Sequence, residues 1–429
     1  MALKRKTWIK EHVNRISEAF KKIPHLEETH YGSTQIGDEQ KLYRAVQPTG
    51  LMYGHPIKPV IDYGYKTKGW DSKEKMKLII ADTLMHQKLI NKSGEDRDEI
   101  REYLILLVDE ISDFYQKNLL QKKIRTRTWW GRKRTNLEIL DLIIDNRLKI
   151  KAKWRTHFWA SFFNNSMLFL DVYMFGKWIS SEDDHKKHAD FHEKQNQIRI
   201  NLLKLIAASA YANKIIEKEE RKLFEFFLDS ALLSSEDKEE AQRFIDSGML
   251  LDEIDFSCID DWILKKYFLE MGILTIWADR KLEESEKEFV KELAFKLGFN
   301  KEELDNSMLA IESFVLTNWQ DVHFLRKNQD FNIVKERWRG RMSDAILRNK
   351  NAVAQEMKES KELMQLLNKQ RKEELTEEEK LKVRAQIIDV LKTLPVFVII
   401  AIPGTFMTLP ILISILPKSV FPSAFTEEE

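Results

Sequence analysis

Residues able to turn a chain sharply are scarce in this sequence, and they are bunched. Only 14 glycines and 9 prolines serve 429 residues, and Gly32, Gly37, Gly50, Gly54, Gly64 and Gly69 fall with Pro48, Pro56 and Pro59 between residues 32 and 69. A β sandwich or barrel needs a turn about every 8–12 residues, which the remaining length cannot supply. With 32% charged residues, the composition predicts long helices and an all-α fold. The bunch itself predicts extended, loop-like chain lying over a helical body. Its tyrosines would anchor it through ring burial, with their hydroxyls left wet.

The length is enough for two or three domains with cores of their own. A formal net charge of +1 argues against a global polyanion binder, while local basic patches remain open. The lone cysteine, Cys258, has no internal disulfide partner, which places the bulk of the chain in a reducing cytoplasm. The basic start lacks an apolar h-region and carries Glu11 and Glu18, so it predicts an amphipathic first helix in place of a targeting signal. Composition shifts divide the chain into an N-terminal helical region (1–120) with its Gly/Pro/Tyr loop (30–70), a basic, tryptophan-rich helical region (121–194), a repeat region (195–320), long charged helices (321–392), an apolar segment (393–417) and a short tail (418–429).

In the second region Arg125, Arg127, Arg132, Lys133 and Arg134 surround Trp129 and Trp130. Indoles favour a boundary with one wet and one apolar side, and arginines favour phosphates, so a membrane surface and RNA are both physically reasonable partners. A third reading fills the core with the indoles and leaves their cations solvated. The apolar run from Phe158 to Ser180 contains Asn164, Asn165 and Asp171, each costly in hydrocarbon unless paired, and reads as a buried helix of the body. His185, His188 and His192 share one side of a helix at a spacing that could hold a transition metal, without forming a recognised ligand motif.

The stretches "AYANKIIEKEERKLFEFF" and "IWADRKLEESEKEFVKEL" match at Ala212/Ala278, Asn213/Asp279, Ile216/Leu282, Glu217/Glu283 and Glu220/Glu286. A helix ending near the Asn or Asp and restarting near the Glu, where an acid complements the positive helix end, predicts two helix-turn-helix corners. Helix-capping acids alone would account for the pattern. It also resembles the TerB-like helical module of tellurite-resistance proteins over residues 195–320. The resemblance implies divalent-cation binding by Asp279, Glu283 and Glu286, and by Asn213, Glu217 and Glu220. Where those corners carry glycine, this chain has Lys214 and Arg280.

From Thr393 to Pro417 no residue carries a formal charge. As one helix this stretch would reach about 37 Å, more than the roughly 30 Å hydrocarbon core, so it predicts one proline-kinked transmembrane helix. Pro395 would sit in its first turn, while Pro403 and Pro410 would free the carbonyls of Ile399 and Phe406 for partner helices or hydroxyls. A shallow hairpin turning at Pro403-Gly404 and a buried helix are the alternatives. Lys380, Lys382, Arg384 and Lys392 precede the segment and only Lys418 closely follows it, so the body would stay cytoplasmic. Thr376 and Glu379 open the preceding helix with a capping box. Basic helix, Pro-Val-Phe, Pro403-Gly404, Leu-Pro at Pro410, Leu-Pro at Pro417 and Phe-Pro-Ser-x-Phe together resemble the membrane segment of the LETM family over Thr376 to Phe425. With the repeat, the whole resembles bacterial LETM-related proteins associated with biofilms.

Neither a phosphate-binding loop, a nucleophile elbow nor a zinc-ligand motif is present in the sequence, which predicts a non-enzyme needing no cofactor. The expectation is a single-pass inner-membrane scaffold or sensor in envelope, cation-homeostasis or biofilm physiology, self-associating or meeting partner helices in the bilayer. A component of a cation/proton exchanger and a ribosome-binding tether are the alternatives.

Overall fold

The computed structural model describes residues 8–20, 37–67, 69–90, 97–118, 124–148, 165–180, 187–216, 218–277, 284–319, 331–370, 373–394, 396–397, 400 and 407–416. Among these the fold is all-α, with 17 α-helices, three short 3-10 turns and one isolated antiparallel bridge. The chain divides into two units, residues 1–26 with 38–299, and residues 27–37 with 300–429.

The first unit contains α1 (Trp8–Phe20), α2 (Asp38–Val46), α3 (Ser72–Leu89), α4 (Arg97–Asn118), α5 (Asn136–Arg147), α6 (Leu168–Ser180), α7 (Lys187–Ala210), α8 (Lys218–Ser230), α9 (Ser235–Ser247), α10 (Trp262–Trp277) and α11 (Glu284–Lys296). Apolar residues run all the way round α10, and every residue from Lys266 to Trp277 is buried. Such a helix belongs at a centre, and α3, buried without a break from Met76 to His86, is another. Amphipathic helices cover them. In α1, Trp8, Ile9, His12, Val13 and Ile16 follow the helical period and turn inward, as the sequence predicts. Asp71 with Glu74, and Thr135 with Glu138, form capping boxes that fix where α3 and α5 begin.

Both repeat corners lie between helices. The first falls between the end of α7 at Ala210 and the start of α8 at Lys218, and the second between Trp277 of α10 and Glu284 of α11. In the first corner Lys214 adopts a left-handed conformation, φ 65°, at the position where the TerB-like pattern has glycine. That conformation strains a residue with a Cβ by about 1–2 kcal/mol.

The glycine-rich stretch is more structured than expected. Gln47–Thr49 and Leu51–Tyr53 form 3-10 turns separated by Gly50 at φ 78°. Nor are the hydroxyls of Tyr53 and Tyr63 wet. Tyr53 and Tyr63 are buried whole, and each donates its hydroxyl to a buried carboxylate. A buried carboxylate needs donors, and a phenol supplies one while also filling volume.

The second unit contains α12 (Lys301–Thr317), α13 (Phe331–Arg348), α14 (Lys350–Glu359), α15 (Lys361–Gln370), α16 (Glu377–Lys392) and α17 (Leu409–Ile415). Trp338 of α13 is fully buried and donates its indole N–H to Ser313 Oγ at 2.9 Å. Immediately before Ser313, α12 carries Glu312, also fully buried. Its Oε1 accepts from Arg341 Nε at 3.3 Å, and its Oε2 has no hydrogen-bond partner among the described residues. Burial, only partly opposed by Arg341, pushes this carboxyl up to about 7. The folded state therefore holds a proton that the unfolded chain releases near pH 4.5. Stability from this group is complete below that pH and falls as pH rises toward 7, by about 3 kcal/mol in all. Glu312→Gln should remove the decline, and chemical unfolding midpoints between pH 5 and 8 check it. Parallel wild-type and variant profiles would refute it.

The apolar segment 393–417 does not form one kinked helix among the described residues. Helix α16, opened by the expected Thr376–Glu379 box, ends at Lys392. Helix α17 begins afresh after Thr408, whose ψ of 158° is extended. Pro410 falls in the first turn of α17, where a missing N–H leaves no bond unmade, so the kink expected there does not arise. Pro395, Pro403, Gly404 and Pro417 lie outside the described residues. Leu412 and Ile415 are buried against α13 and α16, and Arg384 Nε donates to the Met407 carbonyl at 2.7 Å. Among the described residues no helix is long and apolar enough to cross a membrane.

Candidate functional site

Three buried carboxylates in the first unit are the obvious places to look for chemistry. Asp82 of α3 is fully buried between His12 Nε2 at 3.2 Å and His86 Nδ1 at 3.3 Å, and it accepts from Tyr63 Oη at 2.9 Å and the Val60 amide at 2.7 Å. Tyr63 spends its only proton on Asp82, so its contact with His86 Nε2 at 3.2 Å requires a hydrogen on that nitrogen. The other nitrogen lies 2.8 Å from the Asp82 carbonyl and needs a hydrogen too. With an oxygen facing each ring nitrogen, the site suits the imidazolium form of His86. Burial alone would raise the Asp82 carboxyl, but His86 and His12 outweigh it and hold it far below the usual carboxylate range. His86 is pushed up in turn, against its own burial.

Glu270 of α10 accepts from Tyr43 Oη at 2.6 Å and Tyr53 Oη at 2.8 Å. Buried Lys266 lies within 6.0 Å of the rings of Tyr43, Trp262 and Phe299. Burial pushes the Glu270 carboxyl up, against Lys266 and the two hydroxyls. Asp171 of α6 receives Arg147 through two bonds, at 2.6 and 3.2 Å, and Tyr115 Oη at 3.2 Å, while Arg199 Nη2 stands 3.7 Å away. Asp171 thus has the pairing that the sequence demanded of it. None of these three carboxylates is exposed at all, and each is engaged by donors from distant parts of the chain. They fasten loops and helices together, and no substrate can reach them.

Among the described residues the repeat corners offer no such cluster. Asn213 Oδ1 accepts the Ile215 amide at 3.0 Å, capping its own turn. Glu286 is buried and Glu220 is half-buried, while Glu217, Asp279 and Glu283 lie outside the described residues. So do His185 and the side chain of His188. Among the described residues no three His, Cys, Asp or Glu side chains are grouped to hold a metal ion.

The basic, tryptophan-rich stretch is different. Residues 125–134 form a hairpin between Ile124, which is buried, and the capping box of α5. The Thr128 amide bonds the Arg132 carbonyl at 2.8 Å and the Arg134 amide bonds the Thr126 carbonyl at 2.8 Å. Gly131, at φ 77°, closes the turn with its amide on the Thr128 carbonyl at 3.0 Å. A left-handed residue after a tight turn is the geometry of three-residue hairpin loops, and glycine takes it without strain.

Trp129 and Trp130 occupy the tip and are 93% and 90% exposed. Their ring centroids are 6.4 Å apart. Core filling by these indoles is thereby excluded. Arg125, Arg127, Arg132 and Lys133 are exposed around them, Arg134 is half-buried, and the hairpin contains no acid. Arg134 Nη1 donates to the carbonyls of Arg125 at 2.6 Å and Arg127 at 2.8 Å, bracing the turn from within. Arg132 Nη2 donates to Glu138 Oε1 at 2.5 Å, tying the hairpin to the first turn of α5. All seven residues singled out in the sequence are therefore gathered on one element that projects two indoles into solvent. Against protein-family models, curated proteins and solved structures alike, the chain finds no match.

Proposed function

We propose that this chain is a non-enzymatic helical scaffold or sensor that attaches to an anionic membrane surface through the hairpin 125–134. The observation that carries the reading is the pair of almost fully exposed indoles on a braced, wholly cationic tip. Leaving an indole in water forgoes about 4–6 kcal/mol of burial, so two side by side mark a contact surface. The tip is convex. A soft interface accepts a convex apolar wedge directly, whereas a protein partner would have to supply a matching pocket. Tryptophan resides at headgroup depth, and the cations around it meet anionic lipid.

The LETM and TerB-like resemblances belong to the same proposal. They would place the scaffold at a bacterial inner membrane, with segment 393–417 as a further membrane element, a role in envelope or cation physiology, and divalent cations at the acidic corners. Segment 393–417 is not needed for the hairpin to bind.

Vesicle flotation of the full chain tests the proposal. An indole that places even a quarter of its surface in the interface gains about 1 kcal/mol, so Trp129→Ala and Trp130→Ala should each weaken vesicle binding about fivefold. Equal flotation of wild type and the double variant would sink it.

A further inference from the structure

The register of the hairpin carries the reading to a specific ligand group. Residues 126 and 134, and 128 and 132, are joined by backbone hydrogen bonds, and Arg127 is bridged to Lys133 between them. That makes Arg127 and Lys133 a directly opposed pair at a site that is not hydrogen-bonded, the kind in which Cα atoms approach to about 4.5 Å and side chains share one face. Like charges directly opposite destabilise a hairpin. Arg125, also exposed, lies two residues before Arg127 in the chain. The remaining cations are engaged within the protein, Arg132 by Glu138 and Arg134 by two carbonyls. Arg127 and Lys133 thus share one face beside the indoles, with exposed Arg125 close by in the chain and no acid in the hairpin to neutralise them.

We infer that Arg127 and Lys133, assisted by Arg125, clamp the phosphate of an anionic phospholipid while Trp129 and Trp130 sit in the interface. An anion between the opposed side chains turns their repulsion into two charge-assisted bonds. The spacing agrees. Arg127 is only two residues from Trp129, so the cation and the indole can meet one interface together, the indole at headgroup depth and the guanidinium at the phosphate. The inference rests on the proposed membrane attachment and adds the group that selects the lipid.

The test is flotation of the full chain with vesicles of phosphatidylcholine alone and of phosphatidylcholine with phosphatidylglycerol. On the anionic vesicles each cation removed should weaken binding about fivefold, so Arg127→Gln with Lys133→Gln should lose about 25-fold. The same variant should change little on phosphatidylcholine alone. Lys222→Gln with Arg243→Gln, which removes equal charge from α8 and α9, should leave both unchanged. The Thr128 and Arg134 amides should keep their hydrogen-exchange protection in the clamp variant, separating lost binding from a lost hairpin. A clamp variant that binds like the Lys222/Arg243 control overturns the inference. Wild type that floats equally well with both vesicles also overturns it, while leaving membrane attachment standing. Wild type that floats with neither removes both. Preferred binding of a single-stranded RNA oligonucleotide, with the same dependence on Arg127 and Lys133, would assign the clamp to nucleic acid and overturn the lipid reading.

Discussion

Replacing Asp171 with alanine should lower stability by about 3–5 kcal/mol, the range seen when one member of a buried ion pair is removed. Asp171 faces two buried guanidiniums. Arg147 is fixed to it by two bonds, and Arg199 depends on it at longer range. Arg199 Nε and Nη2 have no hydrogen-bond partner among the described residues. Burial, with Arg147 adding to it and Asp171 opposing, brings the Arg199 guanidinium down to about 10. Without Asp171 two cations would face each other in a dry interior, and Tyr115 would lose its acceptor. Against a typical total of about 5–15 kcal/mol, that is a large share. A triple variant, Arg147→Met with Asp171→Leu and Arg199→Met, should cost less than Asp171→Ala, because it leaves no buried charge behind. Urea unfolding of the three proteins measures this. A loss under about 1 kcal/mol in the single variant would show that water reaches the cluster.

Gly50→Ala should cost more than about 3 kcal/mol, and the reason is backbone meeting backbone. A Cβ at Gly50 would lie 1.8 Å from the His55 carbonyl oxygen, and Gly50 is at φ 78°. No side-chain rotation can relieve that approach. The Gly50 carbonyl also accepts the amides of Tyr53 and His55, so any shift disturbs the turn that carries Tyr53 to Glu270. Gly64 provides the control, with φ 69° and open space where a Cβ would go. Gly64→Ala should therefore cost only the left-handed strain, about 1–2 kcal/mol. Unfolding midpoints for the two variants decide the matter, and equal losses would mean that the approach at His55 is not what holds the loop.

The helical class was legible because breakers are rare and bunched, and because amphipathic period and capping boxes such as Thr376–Glu379 are local signals. The site was legible as a composition, five cations about two indoles, but two partners and a core-filling reading remained open for it. Deciding against the core reading required the exposure of Trp129 and Trp130, which depends on where the hairpin projects and not on its own sequence. The buried carboxylates were half legible. An acid inside an apolar run, as in Asp171, announces that donors must exist without naming them, and Asp82 and Glu270 went unnoticed in the sequence because their donors are remote, with Tyr43 and Tyr53 standing 227 and 217 residues from Glu270. The terminal segment misled for a related reason. Apolar length predicts one long helix, but Pro410 is equally suited to begin a short one, and only the packing of Leu412 and Ile415 on α13 and α16 selects between them.

Glu270 receives one hydroxyl on each of its two oxygens, from residues that a 3-10 turn and the end of α2 hold at a set separation. The carboxylate therefore acts as a gauge for the length of chain between Tyr43 and Tyr53. Add or delete a single residue there and one oxygen goes unserved in a dry interior. Exposed surface loops ordinarily absorb such insertions and deletions, and this buried pair of 3-10 turns should not.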